Sequence, residues 1–272
     1  MEPGHRDSRF ARLLFSSVGR RITADRKECG RWRARSAAWL LALAVAPFGQ
    51  VRANGNAFVE LSGGFKSGDF GTAVRSDLRY VAPAVGYLAP GYDFSATVPY
   101  LRLNTDSGGT SATESGIGDI VARAGKVLAP DAFDELSLYG SVAVKLPTAD
   151  EDKGLGTGET DLGAFLAARW PLGNLRLNLQ GGYIKSGLGH SEGLRDVFLY
   201  SAGLSGATTR AHWYVSLDGR TALVQGARAP LEISGGSLYA LGGRYFLKGS
   251  AFAGLNEGGP AFGVAGGIVR MF

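Results

Sequence analysis

The sequence predicts an all-β protein, a transmembrane up-and-down antiparallel β-barrel of about twelve strands that follows a cleaved signal peptide. Three observations predict it: an export signal, a period-2 alternation of apolar and polar residues from residue 54 onward, and connections that alternate between short and long. Because neighbouring residues of a strand face opposite sides, the alternation gives each segment one apolar and one polar face.

The export signal lies at the end of a leader that we assign to residues 1–53. An apolar run over residues 36–48 is too short to span a bilayer and is typical of a secretory signal peptide. The basic residues just ahead of it are Arg31, Arg33 and Arg35. We expect cleavage after Ala53, which leaves residues 54–272 as one barrel domain with no plug. The single cysteine, Cys29, lies in the leader, so we expect no disulfide in the mature protein.

The composition argues against several other classes of protein. The chain has 42 glycines without a collagen period, and it is too rich in Val, Leu, Phe and Tyr to be disordered. Its isoelectric point near 9.4 comes from the leader, which contains 11 of the 29 Lys and Arg residues and 4 of the 24 Asp and Glu residues. The remaining 18 basic and 20 acidic residues give a net charge of −2. We therefore expect no nucleic-acid partner.

The strands and connections follow from the alternation. Residues 136–146 show it most clearly, with Leu, Gly and Val at even positions and Ser, Tyr, Ala and Lys at odd ones. Predicted strands begin near residues 56, 75, 92, 117, 135, 159, 175, 194, 211, 231, 249 and 260. Short connections are predicted at 89–91, 171–174, 207–210 and 247–249, with a slightly longer one at 129–134. Longer polar connections are predicted near 67–74, 104–116, 148–158, 187–193, 224–230 and 255–260.

Short and long connections alternate strictly along the chain. This order is typical of an outer-membrane barrel with tight periplasmic turns and longer external loops, and a soluble Greek-key sandwich gives no reason for it. An even number of strands places both termini on the periplasmic side. We expect the barrel-assembly machinery to recognise the C-terminal Phe272.

Two motifs are more specific than the alternation. Residues 116–120 read Gly-Ile-Gly-Asp-Ile, and residues 145–148 read Lys-Leu-Pro-Thr before the Gly-rich segment 150–161. On these motifs the chain resembles the outer-membrane barrel family labelled as the MetA pathway of phenol degradation, often called simply a transporter. In that family a glycine follows Lys-Leu-Pro-Thr, where this chain has Ala149. The resemblance implies a porin-like transporter of hydrophobic or aromatic compounds and supplies no catalytic residues.

The charged residues on the polar faces are the candidate functional residues, because they would line the lumen. Opposed acidic and basic side chains there could set the selectivity of a pore. The same mixture would also suit a salt-bridged lumen that is filled by side chains and only stabilises the barrel. The candidates are Glu60, Asp77, Arg79, Asp93, Arg102, Asp119, Arg123, Lys145, Asp161, Arg169, Arg176, Asp218, Arg220 and Arg244.

Catalysis and metal binding have weaker support. A lipid hydrolase needs a serine beside a histidine, and the predicted mature chain has only His190 and His212. Ser216 lies on the strand face of His212 but four residues away, which is about 13 Å along an extended strand. The segment 150–161 clusters carboxylates without the order of an EF-hand loop. We therefore expect no enzymatic activity, no cofactor and no metal.

The sequence thus predicts an outer-membrane channel or transporter that works by passive permeation. The expected partners are outer-membrane lipids, a small-molecule solute and, during biogenesis, the assembly machinery. A structural or adhesive barrel, a lipid hydrolase and a soluble β-sandwich remain as alternatives.

Overall fold

The computed structural model of the chain describes residues 56–70, 74–107, 109–132, 136–188, 194–223 and 226–272. The predicted leader, its cleavage site and Cys29 lie outside the described residues. Within those residues, fourteen strands form one antiparallel sheet. They are β1 (Asn56–Gly68), β2 (Arg75–Ala89), β3 (Tyr92–Thr97), β4 (Tyr100–Asp106), β5 (Ser111–Ile117), β6 (Ile120–Ala132), β7 (Leu136–Leu146), β8 (Asp161–Leu172), β9 (Leu175–Lys185), β10 (Val197–Ala207), β11 (Ala211–Arg220), β12 (Leu231–Gly242), β13 (Tyr245–Gly254) and β14 (Phe262–Met271).

The sheet closes on itself as a barrel of twelve crossings. β2 pairs with β3 over one half of its length and with β4 over the other, so β3 and β4 are two parts of a single crossing. The next crossing is divided in the same way, because β4 pairs with β5 and β3 pairs with β6. β1 pairs with both β2 and β14, which leaves the barrel without a free edge. The predicted architecture is therefore confirmed.

No helix among the residues that the structure describes is long and apolar enough to cross a membrane.

Tight turns lie at one end of the barrel and longer connections at the other. Gly91 and Gly173 occupy two of the tight turns with positive φ angles of 79° and 60°, a conformation that glycine adopts without steric strain. The longer connections at the opposite end include residues 147–160 and 186–196. By the usual arrangement of outer-membrane barrels, the tight turns are periplasmic and the longer loops extracellular.

Two predicted connections were wrong. The turn assigned to 247–249 lies inside β13, and the chain instead reverses between β12 and β13 at Gly242 and Gly243, whose φ angles are 114° and 59°. The loop assigned to 104–116 is mostly paired, because β4 and β5 continue as a hairpin as far as the pair of Asp106 and Ser111. The part of this hairpin between residues 104 and 116 is polar on both faces, and a polar segment without alternation resembles a loop in the sequence.

The exterior of the barrel is an apolar band. Apolar side chains are exposed on the outer face of strands all around the barrel, among them Val85, Phe94, Val142, Leu166, Phe198, Leu217 and Val264. Aromatic side chains lie on the same face at the periplasmic end, as an interfacial belt requires: Tyr92, Trp170, Trp213, Tyr245 and Phe272. In water such a surface would be unfavourable, so the barrel spans a lipid bilayer.

Candidate functional site

A buried cluster of charges lies at the extracellular end of the lumen, around Lys145 at the end of β7. Its ammonium is 2.8 Å from the carboxylate of Asp119 and 3.1 Å from that of Asp161, and no more than 2% of any of the three side chains is exposed. The ammonium also donates to Thr157 Oγ1 at 2.6 Å and to the carbonyl of Glu159 at 3.0 Å. Such a desolvated cluster is stable only when its hydrogen bonds are satisfied, as they are for this lysine.

The Lys-Leu-Pro-Thr motif at residues 145–148 connects this cluster to the residues that precede β6. Thr148 Oγ1 donates to the carbonyl of Gly118 and accepts from the amide of Ile120, both at 3.0 Å. The amide of Ala149 donates to Asp119 Oδ1 at 3.1 Å. The two motifs singled out in the sequence are therefore one structural unit, in which the end of β7 is fixed to the beginning of β6.

The loop over residues 147–160 turns inward from this unit and enters the barrel. Leu155 at its centre is 1% exposed and packs against the inner wall, which Leu78, Tyr80, Ala82, Leu101 and Leu103 form. The expectation of a lumen without a plug, and of an external position for Leu155, was therefore wrong for this segment. The sequence marks the loop as polar and Gly-rich, but it does not reveal that one leucine would find an apolar wall inside the barrel.

The tip of this loop remains in solvent. Asp150 and Lys153 form an exposed pair at 3.1 Å. The hydrogen bond from Lys153 holds the pKa of Asp150 below its usual range. Behind the tip, Gly158 has a φ of 69°. A Cβ at Gly156 would come within 2.7 Å of Asp119, so this glycine lets the loop approach the buried cluster.

Other candidates are also paired inside the lumen. Glu60 forms a salt bridge with Lys248 across β1 and β13. Asp93 accepts a hydrogen bond of 2.5 Å from the hydroxyl of Tyr139, and Arg123 donates to that same hydroxyl at 3.2 Å. These contacts support the interpretation of a stabilising lumen for this part of the barrel wall.

On the opposite side the lumen is open, as a cavity of about 660 Å³ bounded mainly by the inner faces of β8–β14. Arg176 and His212 line it near the periplasmic turns, and Lys66, Arg220 and Glu232 line it near the extracellular ends of their strands. The cavity therefore extends over most of the height of the barrel. Its wall between these ends is mixed: apolar atoms contribute the larger share of the surface, and the polar side chains on it are Asn178, Gln180, Ser201, Ser205, Ser216, Ser234 and Ser250.

Four candidates lie on this cavity wall, namely Arg169, Arg176, Asp218 and Arg220. Arg169 is opposite Asn178 in the β8–β9 ladder and is thus a diagonal neighbour of Arg176. Asp218 is directly opposite Glu232 in the β11–β12 ladder. Its carboxylate accepts from Ser216 at 2.8 Å and from Ser234 at 2.6 Å.

Four candidates lie outside the lumen, contrary to the prediction. One of them is Arg102, which is exposed on β4 opposite the outward Arg79. Asp77 and Arg79 share the outward face of β2 with exposed Val81, whereas the inward face contains Leu78 and Tyr80. The prediction failed because charged residues are also tolerated outside, where a strand leaves the apolar band. Arg244 is exposed in the periplasmic turn between β12 and β13. It was expected in the lumen because the prediction placed this turn a few residues later, at 247–249.

The sequence analysis missed three inward charges. Lys66 and Glu232 are inward near the extracellular ends of β1 and β12, and both lie where the prediction placed a strand boundary. Lys248, the partner of Glu60, was assigned to a turn. Strand parity would have found Glu232, which shares its face with Ser234 and Gly236.

The geometry does not favour the hydrolase alternative. Ser216 interacts with Asp218 and Ser234, and His212 lies four residues away on the same strand. His190 lies outside the described residues. Across the described part of the chain, no group of three or more His, Cys, Asp and Glu residues is arranged to hold a metal.

The barrel is similar to solved outer-membrane structures. An outer membrane channel from Pseudomonas putida F1 matches with a TM-score of 0.70 at 14% identity, over 84% of this chain and 100% of that one. The translocator domain of the autotransporter NalP from Neisseria meningitidis matches with a TM-score of 0.53 at 14% identity, over 92% of this chain and 98% of that one. The NanC porin matches with a TM-score of 0.51 at 11% identity, over 78% of this chain and 98% of that one.

No protein-family model matches the sequence, and neither does any curated protein. The likeness to solved structures is therefore one of fold. The chain has the fold of an outer-membrane β-barrel, and the apolar band around it places it in the outer membrane.

Proposed function

We propose that this protein is a passive channel for small solutes in the outer membrane. The observation that carries the proposal is the cavity of about 660 Å³, which extends from Arg176 near the periplasmic end to Lys66 and Glu232 near the extracellular end. A barrel that served only as a structural element would have no need for an unfilled cavity of this length. The likeness to an outer membrane channel and a porin supports the same function.

The cavity wall also suggests a class of solute. Its basic side chains, Lys66, Arg169, Arg176 and Arg220, outnumber the two carboxylates of Asp218 and Glu232. In a narrow space with low-dielectric walls this excess favours anions. Aromatic rings lie on the same wall, namely Tyr80, Tyr214 and Phe252. We therefore propose small organic anions as solutes, aromatic ones included, in line with the resemblance seen in the sequence.

Conductance in a planar lipid bilayer tests the channel itself. Ser201 lies on the cavity wall, and its neighbour Ala202 faces outward between Leu179 and Leu217. The substitution Ser201→Trp should obstruct the cavity and lower the single-channel conductance, whereas the Ala202→Trp variant should conduct like the wild type. A folded wild-type barrel that produces no channels would refute the proposal and favour the structural barrel.

Two biological partners complete the proposal. Outer-membrane lipids surround the apolar band, and the barrel-assembly machinery recognises the C-terminal Phe272 during insertion. A change of Phe272 to Ser should lower the amount of folded barrel in outer-membrane fractions without altering the conductance of those molecules that insert.

A further inference from the structure

Two arginines lie side by side on the outer surface of the barrel. Arg79 of β2 and Arg102 of β4 are direct partners in the ladder, and both are exposed on the outward face. Directly opposed residues have Cβ atoms about 4.5–5.5 Å apart, and two like charges in this arrangement destabilise a sheet. This pair therefore gains from an anion that binds both guanidinium groups.

The pair lies at the extracellular boundary of the apolar band. Tyr92 is exposed at the periplasmic interface, where the ammonium of Lys126 lies 5.1 Å from the centre of its ring. Arg102 is ten residues further along the same crossing. At a rise of about 3.3 Å per residue and a tilt of about 45°, this separation is about 23 Å, close to the thickness of the apolar band.

The neighbouring rows of outward residues show the same boundary. On the membrane side of the pair lie exposed Val81 and Tyr100, which are themselves direct partners. On the other side lie Asp77 and Asn104, of which Asp77 accepts a hydrogen bond of 2.6 Å from Ser67. The surface thus changes from apolar to basic to polar over three consecutive rows, as expected where lipid tails give way to phosphorylated head groups.

The two guanidinium groups are accessible to a ligand. Arg79 lies 5.9 Å from the ring centre of Phe65, which supports its side chain from one side. Among the residues that the structure describes, no carboxylate forms a salt bridge with Arg79 or Arg102. Two adjacent guanidinium forks match the oxygen geometry of phosphate groups, and arginine binds such groups in a bidentate manner.

We propose that Arg79 and Arg102 form a binding site for the lipid A phosphate groups of lipopolysaccharide in the outer leaflet. The position of the pair at the head-group level and on the lipid-facing surface favours a membrane lipid over a soluble anion. The site depends on the barrel lying in the outer membrane and not on whether its lumen conducts.

Titration of the purified barrel in detergent with lipid A that has both phosphates tests the site. The variant Arg79→Gln/Arg102→Gln should bind this lipid about tenfold more weakly, because two charge-assisted contacts are lost. Arg270→Gln is the matched control, since Arg270 is also outward but lies at the periplasmic end, 4.7 Å from the ring centre of Phe272. It should bind lipid A like the wild type.

Dephosphorylated lipid A should bind the wild type and the double variant equally weakly. Equal affinity of both proteins for the phosphorylated lipid would overturn the proposal, and so would displacement of that lipid by an equal concentration of inorganic phosphate. Heat-modifiable migration on a gel establishes that each variant is folded. If the double variant does not fold, Arg102→Gln alone provides the same comparison.

Discussion

The ammonium of Lys145 lies 2.8 Å from the carboxylate of Asp119, and both side chains are completely removed from solvent. The two residues are 26 positions apart in the sequence, yet this contact fixes the end of β7 to the start of β6. Through Thr157 and Glu159 the same lysine holds the loop that enters the lumen. One buried cation therefore links the barrel wall to the loop that enters the lumen.

Replacing Lys145 with Met should destabilise the barrel by about 3–5 kcal/mol, because it leaves the carboxylates of Asp119 and Asp161 buried without their cation. Urea unfolding of the reconstituted barrel, followed by tryptophan fluorescence, measures the change. Lys153→Met removes a lysine from an exposed pair and should leave the free energy of unfolding nearly unchanged. A similar effect of the two substitutions would contradict the assigned role of Lys145.

Replacing Leu155 with Asp should release the inserted loop and raise the single-channel conductance. The side chain of Leu155 packs against apolar residues such as Leu78 and Leu101, and a carboxylate cannot replace these contacts in that environment. Asp152→Asn, at the exposed tip of the same loop, is the control and should conduct like the wild type. An unchanged conductance of a folded Leu155→Asp barrel would mean that the loop does not limit the lumen.

Replacing both Arg169 and Arg176 with Glu should shift the ion selectivity toward cations, because it reverses two charges on the cavity wall. The reversal potential under a salt gradient measures the shift. Arg210→Glu changes an exposed periplasmic turn and should have little effect at high salt, where screening is strong. If the double variant keeps its selectivity and loses the compact form on a gel, the arginines are structural and the proposed solute class is wrong.

Single cysteines should report the orientation of the barrel in intact cells. Cysteine at Ser111 or at Lys153, both exposed at the end with the longer loops, should react with a thiol reagent that does not cross the membrane. Cysteine at Leu155 should stay unreactive because that position is 1% exposed. Gly173 lies in a periplasmic turn, so a cysteine at this position should also be protected from the reagent. Labelling of the cysteine at position 173 without labelling of the cysteine at position 111 would show that the assigned orientation of the barrel is wrong.

The alternation in the sequence was sufficient for the architecture, because the period of a strand and the polarity of its two faces are local properties. Residues 136–146 show this directly: Val142 and Leu146 face outward, and Lys145 faces inward, as the pattern predicts. The same reasoning failed at Lys248, where a Lys-Gly pair resembled a turn, and the reversal instead occurred at two consecutive glycines with positive φ.

The tertiary structure alone decided which inward charges neutralise one another and which line an open space. Glu60 meets Lys248 only because β1 and β13 approach each other across β14 in the closed barrel. The alternation in the sequence predicted that Asp119, Lys145 and Asp161 all face inward. Only the folded structure shows that they are buried together beneath a loop. Periodicity determines the face on which a side chain lies, but the partner it meets depends on shear, closure and loop packing, which no local pattern contains.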